Sequence, residues 1–274
     1  YYMTRITKPK LKTPISYYGG QQNMLKDILP LIPPHHLYNE PFAGGAALLF
    51  AKEPVEINVI NDLNGEIVNL YRTAVSDFTA LSKEIKKTLH SREQMNVAKF
   101  IYNHPDYFSN IQRAWAVWAM SKLCFSSDFT GSFSLCCTGK SQTARRLDAG
   151  KTNFTVELKT LLEKCTIEQD DAINVIKQYD SPEAFHYLAP PYVNCNMGHY
   201  ENMFGEDNLR ELLDTAADVK GKFMLTMYPN DMIRQYAESN NWTIHKIDRT
   251  VSAANVKRRK QEEWMVVNYV LPEE

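Results

Sequence analysis

The amino-acid sequence predicts an α/β fold: a mostly parallel open sheet flanked by helices and interrupted by a mostly helical insertion. Three observations carry this. Short apolar runs bounded by turn residues alternate with segments of helical period in residues 1–75 and again in 165–274, and such alternation builds parallel sheets. Between Ser76 and Lys164 the alternation stops, and helical patterns followed by a turn-rich stretch replace it. At 274 residues the chain is long enough for two parts with real cores. The expected organisation is therefore one domain made of 1–75 and 165–274, with 76–164 inserted into it.

Taken in order, residues 13–20 form a loop ending Tyr17-Tyr18-Gly19-Gly20. Met24, Leu25, Ile28, Leu31 and Ile32 follow at helical spacing and are closed by Pro33-Pro34. Residues 37–42 read as the first strand, after which Gly44-Gly45 opens a helix over 46–52. Residues 56–61 read as the second strand, with Asp62 at its end, and 65–75 as a helix with Ile67, Val68, Leu70 and Tyr71 inward. In the insertion, residues 111–123 form an aromatic helix; Trp115, Trp118 and Phe125 are spaced like a core. Residues 125–153, punctuated by Gly131, Gly139 and Gly150, read as turns. From Thr166 onward come helix 172–178, strand 185–188, helix 207–217, strand 223–227, helix 231–239 and strands 243–247 and 264–270.

Composition narrows the class. A hydrophobic content of 44% with 23% charged residues is that of an ordinary water-soluble protein. No apolar run approaches the ~18 residues of a membrane span, and no leader with a small-residue cleavage site opens the chain. Tyr1-Tyr2 precede Met3, which reads as the natural start. Cys124, Cys136, Cys137, Cys165 and Cys195 make no CxxC pair and no zinc spacing, so reduced thiols in a cytoplasmic protein are expected, and no metal. His35-His36 reads as surface.

The chemistry gathers around Phe185-His186-Tyr187-Leu188-Ala189-Pro190-Pro191-Tyr192. A buried strand that meets two prolines must leave the sheet in one rigid shape, because proline fixes φ and donates no hydrogen bond. Open α/β sheets hold their ligands at such carboxyl ends. A backbone carbonyl followed by Tyr192 suits a flat base, held by its amino group and its face. Glu40-Pro41-Phe42-Ala43-Gly44-Gly45-Ala46 is a second such place, a strand, a glycine turn and a helix start that let backbone approach a ligand. Asp62, twenty residues beyond Phe42 and ending the next strand, stands where an acid takes a ribose diol. Asp-Leu-Asn-Gly before a helix equally describes a cap, and both readings remain open. The spacing lacks GxGxxG, which speaks for an adenosine-type ligand other than NAD.

Net charge is only −1, but it is unevenly spread. Lys140, Arg145, Arg146 and Lys151 cluster in the turn-rich part of the insertion, and Lys257-Arg258-Arg259-Lys260 precede the last strand. Basic loops are commonly just solvated; beside a base-gripping site they become phosphate contacts.

The order Tyr-Gly-Gly, Glu-Pro-Phe-Ala-Gly-Gly, Asn-Asp-Leu-Asn, a long insertion and then Pro-Pro-Tyr resembles the DNA adenine-N6 methyltransferases of the Dam type, over nearly the whole chain. The resemblance implies a doubly wound, Rossmann-like methyltransferase sheet that binds S-adenosylmethionine, with a target-recognition domain inserted at 76–164 and carrying a DNA-reading hairpin around Lys140. It implies methyl transfer to N6 of an adenine flipped out of double-stranded DNA, in a bacterial or phage-encoded cytoplasmic enzyme acting as a monomer or weak dimer. Tyr17, Tyr18, Gly19, Gly20, Gln21, Phe42, Gly44, Gly45 and Asp62 then look like cofactor contacts. Asp171, before the helix at 172–178, looks like the acid near the cofactor's adenine, and is also placed to cap that helix.

Two departures stand out. The family has Lys after Gly-Gly, where this chain has Gln21; and it has Asp before Pro-Pro-Tyr, where this chain has Ala189. The catalytic turn is then Ala189, Pro190, Pro191 and Tyr192 with its acid missing. The chain reads as an inactivated form, by an introduced change in an otherwise intact site. The alternatives are a non-catalytic DNA-binding pseudoenzyme and, further off, a protein-glutamine methyltransferase, whose glycine loop and Pro-Pro-Tyr lie closer together.

Overall fold

The computed structural model describes residues 11–17, 20–135, 142–193, 204–250 and 260–271. Its centre is a seven-stranded sheet of β1 (Leu37–Glu40), β2 (Ile57–Asn61), β3 (Cys165–Glu168), β4 (Ala184–Leu188), β5 (Lys222–Met227), β6 (Thr243–Thr250) and β7 (Lys260–Val267), in the order β3-β2-β1-β4-β5-β7-β6. The five strands from β3 to β5 are parallel, and β7 runs antiparallel between β5 and β6. This is the doubly wound α/β architecture expected.

Every residue of β4 is buried, as a central parallel strand covered on both faces must be. Alternation assigns the faces. Phe185, Tyr187, Met224, Met265 and Val267 point into one apolar cluster, and Leu188, Phe223, Leu225, Met227, Trp264 and Val266 into the other. Helices α9 (Ala172–Gln178), α10 (Glu206–Asp218) and α11 (Asp231–Asn240) supply the second cluster. The first is covered by α1 (Leu25–Ile28), α2 (Ala47–Ala51) and α3 (Gly65–Ser76), and then by the insertion: α4 (Phe78–Lys87), α5 (Arg92–Asn103), α6 (Asn110–Leu123), α7 (Gln142–Asn153) and α8 (Val156–Leu162).

That first cluster does not stop at the insertion's boundary. It runs continuously from Tyr38 and Phe185 through Ile67 and Leu70 to Trp118, Leu123, Leu147 and Leu158. Helix α6 starts from a capping box in which Ser109 Oγ accepts from Gln112 N and Gln112 Oε1 accepts from Ser109 N, which fixes where the helix begins.

The structure corrects several expectations. Over residues 24–32 only α1 is α-helical; Leu29–Leu31 is a 3-10 turn, because Pro30 has no amide to continue the ladder. The stretch read as turns over 125–153 contains helix α7, whose Gly150 is filled from outside by the Lys122 and Trp118 side chains. Phe125 is 63% exposed, not core, because the chain turns sharply at Ser126 and Ser127, both at positive φ, as soon as α6 ends. His35 is not surface: it lies half-buried against Tyr38 and Phe185, and burial lowers its pKa to about 4. Only His36 is exposed, beside Glu56 at 3.6 Å.

Candidate active site

Strand order creates the site. From β1 the chain winds outward to β2 and β3 on one side, and β4 and β5 lie on the other, so the crevice at the carboxyl ends opens between β1 and β4. A cavity of about 960 Å³ occupies it. The loop after β1 brings Phe42, Gly44 and Gly45 to its wall, the end of β2 brings Asp62, the start of α9 brings Asp171, and the turn after β4 brings Ala189, Pro190, Pro191 and Tyr192. Tyr17, Gly20 and Gln21 close it from the N-terminal segment.

Asp62 is gripped by two backbone amides. Its Oδ2 accepts from Gly44 N at 2.7 Å and its Oδ1 from Asn64 N at 2.9 Å. The surrounding protein desolvates the carboxyl and pushes its pKa up to about 6, the two amides opposing this. It is not the helix cap: Asn64 is, accepting from Glu66 N at 3.0 Å. Asp62 thus ties the glycine turn to the start of α3, and each carboxylate oxygen keeps a lone pair for the cavity. Asp171 does cap its helix, accepting from Ile173 N at 2.8 Å, and lines the cavity as well.

The glycines, which line the cavity, also serve the fold. Gly44 sits at φ +47°, and a Cβ there would stand 2.7 Å from the Tyr17 ring; one on Gly20 would stand 2.9 Å from Tyr17 O. The close approach they permit is that of the Tyr17 segment, which they fold into the wall. Helix α2 has five residues and begins after the left-handed Ala46, so it presents no extended helix terminus. Below it Glu40 is 2% exposed, accepts from Tyr38 Oη at 2.8 Å and Leu49 N at 3.3 Å, and is pushed up to about 8 by burial.

Tyr192 is held by its hydroxyl. It donates to Glu263 on β7, buried at 0% exposure, and accepts from Gln21 Nε2 at 2.9 Å; that amide also donates to Thr226 Oγ1 at 3.3 Å. The ring packs edge-on to Tyr228 at 4.4 Å. Gln21, read from sequence as a lost charge, is thus a hydrogen-bonded strut. Its Oε1 is buried with no partner among the described residues.

The basic residues separate. Arg145 is exposed on α7. Arg146, expected as a phosphate contact on a loop, turns inward. Its Nε and Nη2 donate to Lys122 O at 3.1 and 2.6 Å, Nη2 to Cys124 O at 2.9 Å and Nη1 to Ser127 Oγ at 3.4 Å. The Lys122 and Cys124 carbonyls close α6 and Ser127 follows it, so Arg146 is a clamp on that terminus. Tyr18, Gly19, Lys140, Lys257, Arg258 and Arg259 lie outside the described residues; Lys260 opens β7.

Sequence reasoning missed Asn61, Glu263 and Lys122. Asn61 Nδ2 donates to Pro41 O and Asp170 O, and its Oδ1 accepts from Asp170 N, which laces the ends of three strands together. Glu263 had no sequence signal beside Tyr192. Lys122 did: it is a charge on the buried stripe of an apolar helix, and it lines the cavity.

The family described as D12 class N6 adenine-specific DNA methyltransferase matches residues 17–253. The type II methyltransferase M1.LlaDCHI of Lactococcus lactis subsp. cremoris is 27% identical over 280 residues, spanning 92% of this chain and 93% of its own. The modification methylase StsI of Streptococcus sanguinis is 21% identical over 315 residues, 96% of this chain but 44% of its own. The type II methyltransferase M.CviBI of Paramecium bursaria Chlorella virus NC1A is 23% identical over 231 residues, 82% of this chain and 86% of its own. With the family match running through both parts of the sheet and the insertion between them, this chain belongs to the D12 class of N6 adenine-specific DNA methyltransferases.

Proposed function

We propose that the crevice between β1 and β4 holds S-adenosylmethionine and a flipped adenine side by side, and that Ala189 disables methyl transfer in the chain as it stands. The observation that carries this is the meeting of Asp62, Asp171, Gln21 and the Ala189–Tyr192 turn on one cavity of about 960 Å³. The walls fit the cofactor: two carboxylates for its hydroxyl and amino hydrogens, and the aromatic Phe42. Bound there, S-adenosylmethionine supplies a methyl group made electrophilic by its sulfonium.

The chain's own residues govern the nucleophile. Adenine's N6 lone pair is delocalised into the ring, so the amine reacts only when acceptors hold its hydrogens and aim the pair. The Pro190 carbonyl is one acceptor, fixed by the following proline. The second belongs at position 189, where a methyl group accepts nothing. Tyr192 lines the cavity beside the Pro190 carbonyl, its hydroxyl fastened by Glu263 and Gln21, and is the ring proposed to meet the face of the base.

Asp62→Ala is expected to weaken S-adenosylhomocysteine binding by roughly 1–3 kcal/mol, and Asp62→Asn by less, since its amide oxygen still accepts from Gly44. Calorimetry showing no binding by the unmodified chain overturns the reading. An affinity unchanged in Asp62→Ala removes the role of that residue.

The insertion at 76–164 and the cluster at 257–260 are proposed to contact the DNA backbone. Neutralising Arg145, or residues 257–260, should flatten the salt dependence of duplex binding by roughly 0.9 in log–log slope for each phosphate no longer neutralised. An unchanged slope marks these charges as solvated. Arg146→Ala should instead lower stability, because it unclamps α6.

A further inference from the structure

The wall of the cavity supplied by the insertion is basic and uncompensated. Lys122 leaves α6 one residue before its end, is 4% exposed, and lines the cavity together with Arg146, Gly150 and Asn153. Among the described residues its ammonium makes no hydrogen bond and no ion pair; its neighbours are the Trp118 ring, 5.9 Å from Nζ, and the like-charged Arg146. Arg146 in turn has its donors on the carbonyls of Lys122 and Cys124. Burial, with Arg146 adding to it, pushes the Lys122 pKa down to about 7, the direction expected of a cation with no counter-charge.

A buried, unpaired ammonium is destabilising, and a lysine in that position ordinarily bends its flexible stem toward water. Here the stem is kept inside. It passes over Gly150 of α7, where an added Cβ would lie 2.8 Å from Lys122 Cε and 3.1 Å from Trp118 Cζ2. A glycine inside a helix is less favourable than alanine, and this one vacates the space that the lysine stem occupies.

We propose that Lys122 is the anchor of an oxyanion subsite in the insertion-side wall of the cavity, with Arg146 holding its backbone in place. Nothing in the transfer chemistry at the Ala189–Tyr192 turn uses it. The cavity is also lined by Asp62, Asp170, Asp171 and Glu211, and of its cations, Lys12, Lys122 and Arg146, Lys122 is the buried one whose charged group has no partner among the described residues. Two sources of one oxyanion chemistry reach this cavity if the reading above holds, on which this inference rests: the carboxylate of the cofactor's amino-acid end, and a backbone phosphate of the DNA strand carrying the target base. Either converts the unpaired cation into a charge-assisted, hydrogen-bonded pair.

The test uses the whole chain and the variants Lys122→Met and Lys122→Arg, with three probes. Lys122→Met replaces a buried charge by an apolar side chain of similar length, so its thermal midpoint should equal or exceed that of the unmodified chain. Inorganic phosphate should raise the midpoint of the unmodified chain and of Lys122→Arg more than that of Lys122→Met, which reads the subsite without reference to the cofactor. S-adenosylhomocysteine is compared with methylthioadenosine, the same nucleoside without the carboxylate. A loss of about 10- to 100-fold for the first and none for the second in Lys122→Met assigns the carboxylate. A similar loss for duplex DNA, with both nucleosides unaffected, assigns the phosphate. Failure of the unmodified chain to bind S-adenosylhomocysteine, with the phosphate difference present, overturns the cofactor reading and keeps the subsite. Equal behaviour of Lys122→Met and the unmodified chain with all probes, or a fall in the midpoint of Lys122→Met, overturns the subsite and makes Lys122 a structural residue.

Discussion

Ala189→Asp is expected to turn a chain with no detectable methyl transfer into one that methylates adenine N6 in duplex DNA. The structure keeps everything else at the turn in place. Position 189 lines the cavity, Pro190 and Pro191 fix the backbone on leaving β4, and Tyr192 is fastened to Glu263 and Gln21. A preorganised acceptor aimed at a reacting group is worth on the order of 10²–10³ in rate, and a carboxylate that also orients the lone pair adds to this. Ala189→Asn should recover part of the rate, since its amide oxygen accepts one hydrogen without a full charge. Transfer of a tritiated methyl group to DNA, followed for the three proteins, decides the matter. Activity in the unmodified chain would end the assignment of position 189. Silence in Ala189→Asp would favour a natural pseudoenzyme, in which the neutral Gln21 is a further lost function.

Trp118→Ala is expected to destabilise the whole chain by about 3–5 kcal/mol, the cost of emptying a fully buried aromatic site. The expectation reaches beyond the insertion because one apolar cluster joins Trp118 to Tyr38 and Phe185 of the sheet. Urea unfolding followed by tryptophan fluorescence and by circular dichroism should give one coincident transition, shifted as a unit in the variant. Trp242 and Trp264, in the sheet part, report the fluorescence change at a distance from the substitution. Two transitions, with the Trp264 signal unmoved, would show an insertion that is stable on its own.

The sequence by itself determined the architecture and singled out residues that meet at one cavity. Alternating strand and helix patterns, a break in that alternation and a strand ending in Pro-Pro are local signals, and they specify a parallel sheet, an insertion and a rigid turn at a carboxyl end. Asp62, Asp171 and the turn at 189–192 were legible because each stands next to a strand end or helix start that names its place. Roles that depend on partners far along the chain were decided only by the tertiary structure. Gln21 reads as a missing charge until Tyr192 and Thr226 are brought to it across the sheet. Arg146 reads as a loop cation until the end of α6 offers it three acceptors. That Gly44 also makes room for the Tyr17 ring is seen only once the two are packed together. The physical reason is the same in each case. Periodicity and turn chemistry act over a few residues and leave their mark in composition, whereas burial and hydrogen-bond pairing are set by which surfaces the folded chain presses together.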